Sequence, residues 1–186
     1  MILLSTIVLF VHKHVSSTKG ETFMLLSELT KASSSSTDEL GGTYAAAKLS
    51  SETKKQIRQY MKNQDILHPE DPDDMHCTIL YSRKPCPDYK AAGKYDEPIP
   101  ASVKGFEIWP TRDMERNVLV LNLTCKGLTD RHNKLMDEHK ASYDFPEYKP
   151  HVTFSYDFGD GDAKDLPPYK GIVEFDAEYQ EDLNNL

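Results

Sequence analysis

The sequence predicts an α+β fold in which a strand–helix–strand–strand unit is written twice. Three observations carry that expectation. A strand-like run opens each unit, at residues 42–49 and again at 117–123, and a stretch of helical spacing follows each. Each unit then returns as a strand headed His-x-Thr, at His76–Thr78 and at His151–Thr153. The register repeats as well: His151 lies 75 residues after His76, and Leu119 lies 75 residues after Tyr44. Self-similarity at a fixed spacing marks a duplicated unit. The expected architecture is two lobes with pseudo-twofold symmetry, antiparallel sheets lining a central cleft, and helices outside.

In the first unit, Gly42-Thr43-Tyr44-Ala45-Ala46-Ala47-Lys48-Leu49 reads as a strand. Ser50 or Ser51 caps the helix that follows, and Ile57, Tyr60 and Met61 recur at helical spacing until about Asn63. A turn rich in Pro and Asp, residues 68–74, leads into the strand 75–82. In the second unit the strand 117–123 is followed by a helix opening at Gly127-Leu128-Thr129-Asp130, a turn over 143–150 and the strand 151–156. A Lys-Gly strand closes each unit, at 104–109 and 170–175. Residues 41–186 are therefore expected to form a single bilobal domain. Residues 1–40 are read as an N-terminal extension, flexible or helical in part, ending in the serine-rich linker 33–36. The apolar run 2–10 is too short to span a bilayer. Met24 is an alternative start, which would place residues 1–23 outside the fold.

Composition narrows the class. The formal net charge of −8 argues against a general electrostatic grip on long nucleic acid, because neutralising phosphates needs a Lys/Arg excess. A small anionic ligand in a locally positive pocket remains compatible with it. No membrane association is expected, and oligomeric state is not written in the chain. Cys77, Cys86 and Cys125 make an odd number without a Cys-x-x-Cys spacing, so neither a disulfide framework nor a zinc signature is present.

The chemistry follows from strand periodicity. Side chains at i and i+2 share a face. His76 and Thr78 should point one way with Leu80 and Ser82, opposite Cys77, Ile79 and Tyr81. His151, Thr153 and Ser155 should share a face opposite Val152, Phe154 and Tyr156. Two imidazoles facing each other can act as base and acid on a phosphodiester, since an ordinary His pKa of about 6.5 populates both protonation states. Two threonine hydroxyls can donate to the non-bridging oxygens as charge builds. The candidate catalytic set is His76, Thr78, His151 and Thr153, with no metal and no cofactor. His132 and His139 have no motif around them and are expected at the surface.

Paired His-x-Thr strands in a duplicated α+β chain resemble the two-histidine (2H) phosphoesterase superfamily. The longer segments 42–46, 76–84 and 143–157, which include Tyr143-Asp144-Phe145 and Tyr148-x-Pro150-His151, look like the phage anti-CBASS nucleases. The resemblance spans residues 41–182. It implies hydrolysis of 3′–5′-linked cyclic di- and trinucleotide messengers, such as cyclic GMP–AMP and cyclic tri-AMP, in the cytoplasm of an infected bacterial host. It implies attack by the ribose 2′-hydroxyl, giving a cyclic phosphate that water then opens. It also implies a base-stacking role for Tyr44, with Trp109 as a second stacking residue and Glu178 at a base edge. A core tyrosine, a packing tryptophan and Glu181 in place of Glu178 are the competing readings. The chain ends at Leu186 without the aromatic expected in the family's tail, leaving a C-terminal lid in question. Two rival activities stay open: a 2′,3′-cyclic phosphodiesterase acting on RNA ends or nucleotides, and a sponge that binds cyclic nucleotides without cleaving them.

Overall fold

The structure, a computed structural model, describes residues 41–111 and 114–183. The extension, linker and alternative start expected within residues 1–40 lie outside these described residues. The elements run β1 (Gly42–Leu49), α1 (Ser51–Met61), β2 (His76–Ser82), β3 (Gly93–Pro110), β4 (Asn117–Thr124), α2 (Lys126–His139), β5 (His151–Ser155), a 3₁₀ turn at Ala163–Asp165, and β6 (Val173–Leu183). The α+β order is the expected one. β3 begins before the expected 104, however, and β6 continues past the expected 175. Pro98 and Pro100 masked the first of these in the sequence. A proline cannot donate to a ladder, and the β3–β6 pairing breaks its register there, between Lys94 and Ile99.

All six strands join one sheet in the order β2-β1-β6-β3-β4-β5, and every pairing is antiparallel. β3 serves both halves, pairing with β6 through Gly93–Ala101 and with β4 through Ser102–Pro110. Gly105 sits at the register break in β3 with φ 146°, a conformation that L side chains rarely adopt. The two edge strands approach each other. There the Cys77 thiol of β2 lies 3.8 Å from the hydroxyl of Tyr148, just ahead of β5.

One core lies on one face of the sheet. Ala45, Ala47, Leu49 and Cys77 from β1 and β2 join Leu119, Leu121, Leu123, Val152 and Phe154 from β4 and β5, with Ile57, Leu128 and Leu135 from the helices. Ser50 starts α1 by accepting the Thr53 backbone N–H at 3.2 Å, and Thr53 Oγ1 accepts the Glu174 N–H at 2.9 Å, which ties the helix start to β6. The helices cross over. α1 follows β1, yet its Tyr60 stacks on Phe106 at 5.7 Å and meets Phe154 edge-on at 6.3 Å, beneath the second half. α2 follows β4, yet its His132 bonds the Ile79 carbonyl of β2 and its Arg131 pairs with Glu178 of β6. Against the expectation of a surface residue, His132 is buried, stacked on Tyr148 at 4.2 Å and bonded to Ile79 O at 2.7 Å. Desolvation lowers its pKa, which favours the neutral imidazole behind β2. No helix among the described residues is long and apolar enough to cross a membrane.

Candidate active site

The ladders put the two His-x-Thr pairs on the face opposite the core. Lys48 pairs with His76 and Ala46 with Thr78, while Asn122 pairs with His151 and Val120 with Thr153. These registers also correct the sequence alignment of the leading strands. Lys48 stands to His76 as Asn122 stands to His151, so the counterpart of Tyr44 is Val118 rather than Leu119.

Both histidines are held by the same local device. Nδ1 of His76 donates to the carbonyl of Asp74 at 2.9 Å, and Nδ1 of His151 donates to the carbonyl of Lys149 at 2.8 Å. A carbonyl can only accept, so the proton of each neutral ring lies on Nδ1 and the lone pair on Nε2. Each ring is anchored two residues upstream by its own chain.

Each His-x-Thr strand then changes face. The β1–β2 register jumps from Ala46↔Thr78 to Ala45↔Leu80, leaving Ile79 as an extra residue. The β4–β5 register jumps from Val120↔Thr153 to Leu119↔Ser155, leaving Phe154 extra. Such a bulge reverses the alternation beyond it. The uninterrupted period of two read from sequence is therefore corrected at five positions. Leu80, Ser82 and Ser155 are wholly buried, away from the histidine face. Tyr81 pairs with Tyr44 on the site face, and Tyr156 turns back to hydrogen-bond Thr153. The displaced serines pin loops instead: Ser82 Oγ donates to Lys84 O at 2.7 Å, and Ser155 Oγ to Leu67 O at 2.6 Å.

The residues expected around substrate separate into those the fold brings to the site and one it does not. Tyr44 lies beside the pair, but its ring is only 4% exposed and its hydroxyl sits 3.0 Å from Thr78 Oγ1. Burial raises the Tyr44 pKa, so the phenol stays neutral. Trp109 reaches the site: its ring lies 4.5 Å from the His151 ring at 60°, with Nε1 donating to Glu107 at 2.9 Å. Glu178 does not reach it. It pairs with Ala47 on the core face, where Arg131 Nη2 (2.7 Å), Tyr89 (2.6 Å), Tyr95 (3.1 Å) and the Ala92 N–H (3.2 Å) hold its carboxylate. Burial pushes that carboxyl up, and the Arg131 and Tyr89 bonds more than offset it, leaving the group below its usual range. The side chains of β6 that share the site face include Ala177, Tyr179 and Glu181, opposite Lys48, Ala46 and Tyr44. Tyr179 was not singled out in the sequence. It meets His76 and Tyr44 edge-on, each at 6.3 Å.

His151 keeps partial access to the site face while the surrounding protein desolvates it. Desolvation draws its imidazole down to about 4. The Lys149 carbonyl opposes the shift, and the charge of His76 adds to it. Among the described residues no group of three or more His, Cys, Asp or Glu side chains is placed to hold a metal ion.

The two His-x-Thr strands of this α+β sheet, each with its histidine held by a carbonyl two residues upstream, are the pattern in which the sequence resembles the two-histidine phosphoesterases. Comparison with known proteins narrows it. The family described as "Anti-CBASS protein Acb1" matches residues 41–185. The Acb1 protein of Vibrio phage KVP40 is 34% identical over 119 residues, which are 64% of this chain and 75% of that one. The Acb1 protein of Enterobacteria phage T4 is 32% identical over 149 residues, covering 76% of this chain and 88% of that one. In Sphingomonas paeninsulae the matched relative is much longer, with 57% of this chain corresponding to 18% of it at 36% identity. The chain belongs to the anti-CBASS protein Acb1 family.

Proposed function

We propose that the protein is a metal-independent phosphodiesterase that hydrolyses the 3′–5′ bonds of cyclic di- and trinucleotide messengers, such as cyclic GMP–AMP and cyclic tri-AMP. It would thereby disable CBASS signalling in the cytoplasm of an infected cell. The observation that carries this reading is the matched pair of Nδ1–carbonyl bonds, which direct the basic nitrogen of both histidines away from their own strands. The same bonds, the two bulges and the two displaced serines support a duplicated, pseudo-twofold origin for the halves.

In the proposed first step, His151 takes the proton of a ribose 2′-hydroxyl, whose oxygen attacks the adjacent phosphorus. The bond from phosphorus to the 5′-oxygen breaks, and His76 in its protonated form gives that oxygen a proton. The products are a 2′,3′-cyclic phosphate and a 5′-hydroxyl. Water then opens the cyclic phosphate with the two roles exchanged. A histidine drawn down to about 4 is neutral at pH 7, which suits His151 to begin as base. Thr78 and Thr153 donate to the non-bridging oxygens, their hydroxyls set by Tyr44 and Tyr156. Trp109 is the stacking platform for a base. Glu181, rather than Glu178, is the carboxylate available to a base edge.

The test is incubation with cyclic dinucleotides, cyclic trinucleotides and 2′,3′-cyclic mononucleotides in EDTA, with product masses. Linear products from the cyclic oligonucleotides are expected. Turnover of the mononucleotides alone would replace the substrate assignment, recovery of every ligand unchanged would favour a sponge, and loss of turnover in EDTA would end the metal-free mechanism.

A further inference from the structure

Lys48 is the direct cross-strand neighbour of His76, on the same face as Tyr44 and Thr78. Its side chain is exposed, and its Nζ lies 5.0 Å from the centre of the Tyr179 ring, the ring that also borders His76. A cation over an aromatic face is attracted and partly ordered there. Several other cations are paired with carboxylates: Arg83 with Asp144, Arg131 with Glu178, Lys54 with Asp73, and Arg58 with Asp71 and Asp73. Among the described residues Lys48 forms no ion pair with a carboxylate. The surroundings are otherwise unfavourable to an anion. The chain carries a net −8, and Glu181 and Asp74 place negative charge near Tyr179.

The equivalent position across from His151 is Asn122, a neutral and buried side chain whose Oδ1 has no hydrogen-bond partner. The two sides of the site thus differ in charge at matched positions. We infer that Lys48 is the substrate-binding cation of the site, receiving a phosphate of the diester on the His76 side and making the pocket selective for anionic ligands. This rests on the phosphodiesterase reading above and adds the residue that offsets the chain's own negative field. A charge-assisted hydrogen bond to phosphate is the stronger kind, and its loss corresponds to roughly a tenfold or larger drop in kcat/KM.

The experiment compares wild type, Lys48→Gln and Lys48→Arg on cyclic GMP–AMP at low and high salt, with thermal midpoints as a folding control. Lys48→Gln is expected to lose about tenfold or more at low salt and much less at high salt, and Lys48→Arg to recover most of the loss. A Lys48→Gln enzyme within twofold of wild type at low salt would overturn the inference. So would an equal loss at both salts that arginine does not rescue, since that is a packing effect. If wild type itself neither binds nor cleaves any cyclic or linear phosphodiester, the phosphodiesterase reading falls and takes the inference with it.

Discussion

The two histidines share a backbone device but sit in different surroundings. His76 lies among phenol rings, with Tyr44 and Tyr179 edge-on at 6.1 and 6.3 Å and a lysine beside it in the ladder. His151 lies against one indole at 4.5 Å with a buried asparagine beside it, in a setting that draws its pKa down to about 4. The like Nδ1–carbonyl bonds hold the two imidazoles in matched poses. The proposed first step needs them unlike, one taking a proton and the other giving it. The difference comes from the neighbours.

Removing either imidazole tests the comparison most severely. His76→Ala and His151→Ala are each expected to lower kcat by about two to four orders of magnitude, with circular dichroism unchanged. Near-full activity in either would end the paired mechanism. The pH profile of kcat/KM separates the two sides. If His151 starts as base, its protonation inactivates the enzyme, so the acidic limb should fall near pH 4 rather than near the ordinary histidine value of about 6.5. Stability shares the cause. Between about 6.5 and 4 the unfolded chain binds a proton at His151 that the folded protein does not, so stability falls as pH drops through that window. In His151→Gln that part of the slope should vanish in denaturant titrations at several pH values.

The next largest effect lies on the core face behind His76. Arg131→Met leaves the Glu178 carboxylate buried without its cation, a loss expected to cost about 3–5 kcal/mol of stability. The folded fraction should keep its kcat. A selective loss of substrate affinity instead would restore Glu178 as a ligand residue. Smallest is Tyr44→Phe, which deletes the bond to Thr78 and keeps the ring. One ordinary hydrogen bond corresponds to about 1 kcal/mol, or roughly fivefold in rate. Tyr44→Ala removes the ring as well, and a larger fall in affinity than in kcat in that variant would point to base stacking, as the family resemblance suggested.

The two His-x-Thr pairs were legible because a short motif on one strand needs only local periodicity, and their recurrence marked them as the candidate site. What stayed hidden depended on counting across a break. The bulges at Ile79 and Phe154 leave no mark in composition, so Tyr81 and Tyr156 were assigned to the wrong face. Glu178 was misplaced by parity. Whether residue 178 or 179 shares a face with Tyr44 depends on how β6 registers against β1, and a one-residue slip exchanges the faces. His132 looked like a surface histidine because the helix that carries it follows β4, while the strand it supports is β2.

The crossing of the helices also governs how the molecule can be divided. Cut between β3 and β4, each fragment would retain a His-x-Thr strand, yet the helix that backs that strand would belong to the other fragment. Neither piece could shield its own apolar sheet. Reassembly of the two would then be all-or-none, and the return of turnover on mixing would report that both interlocks had closed together.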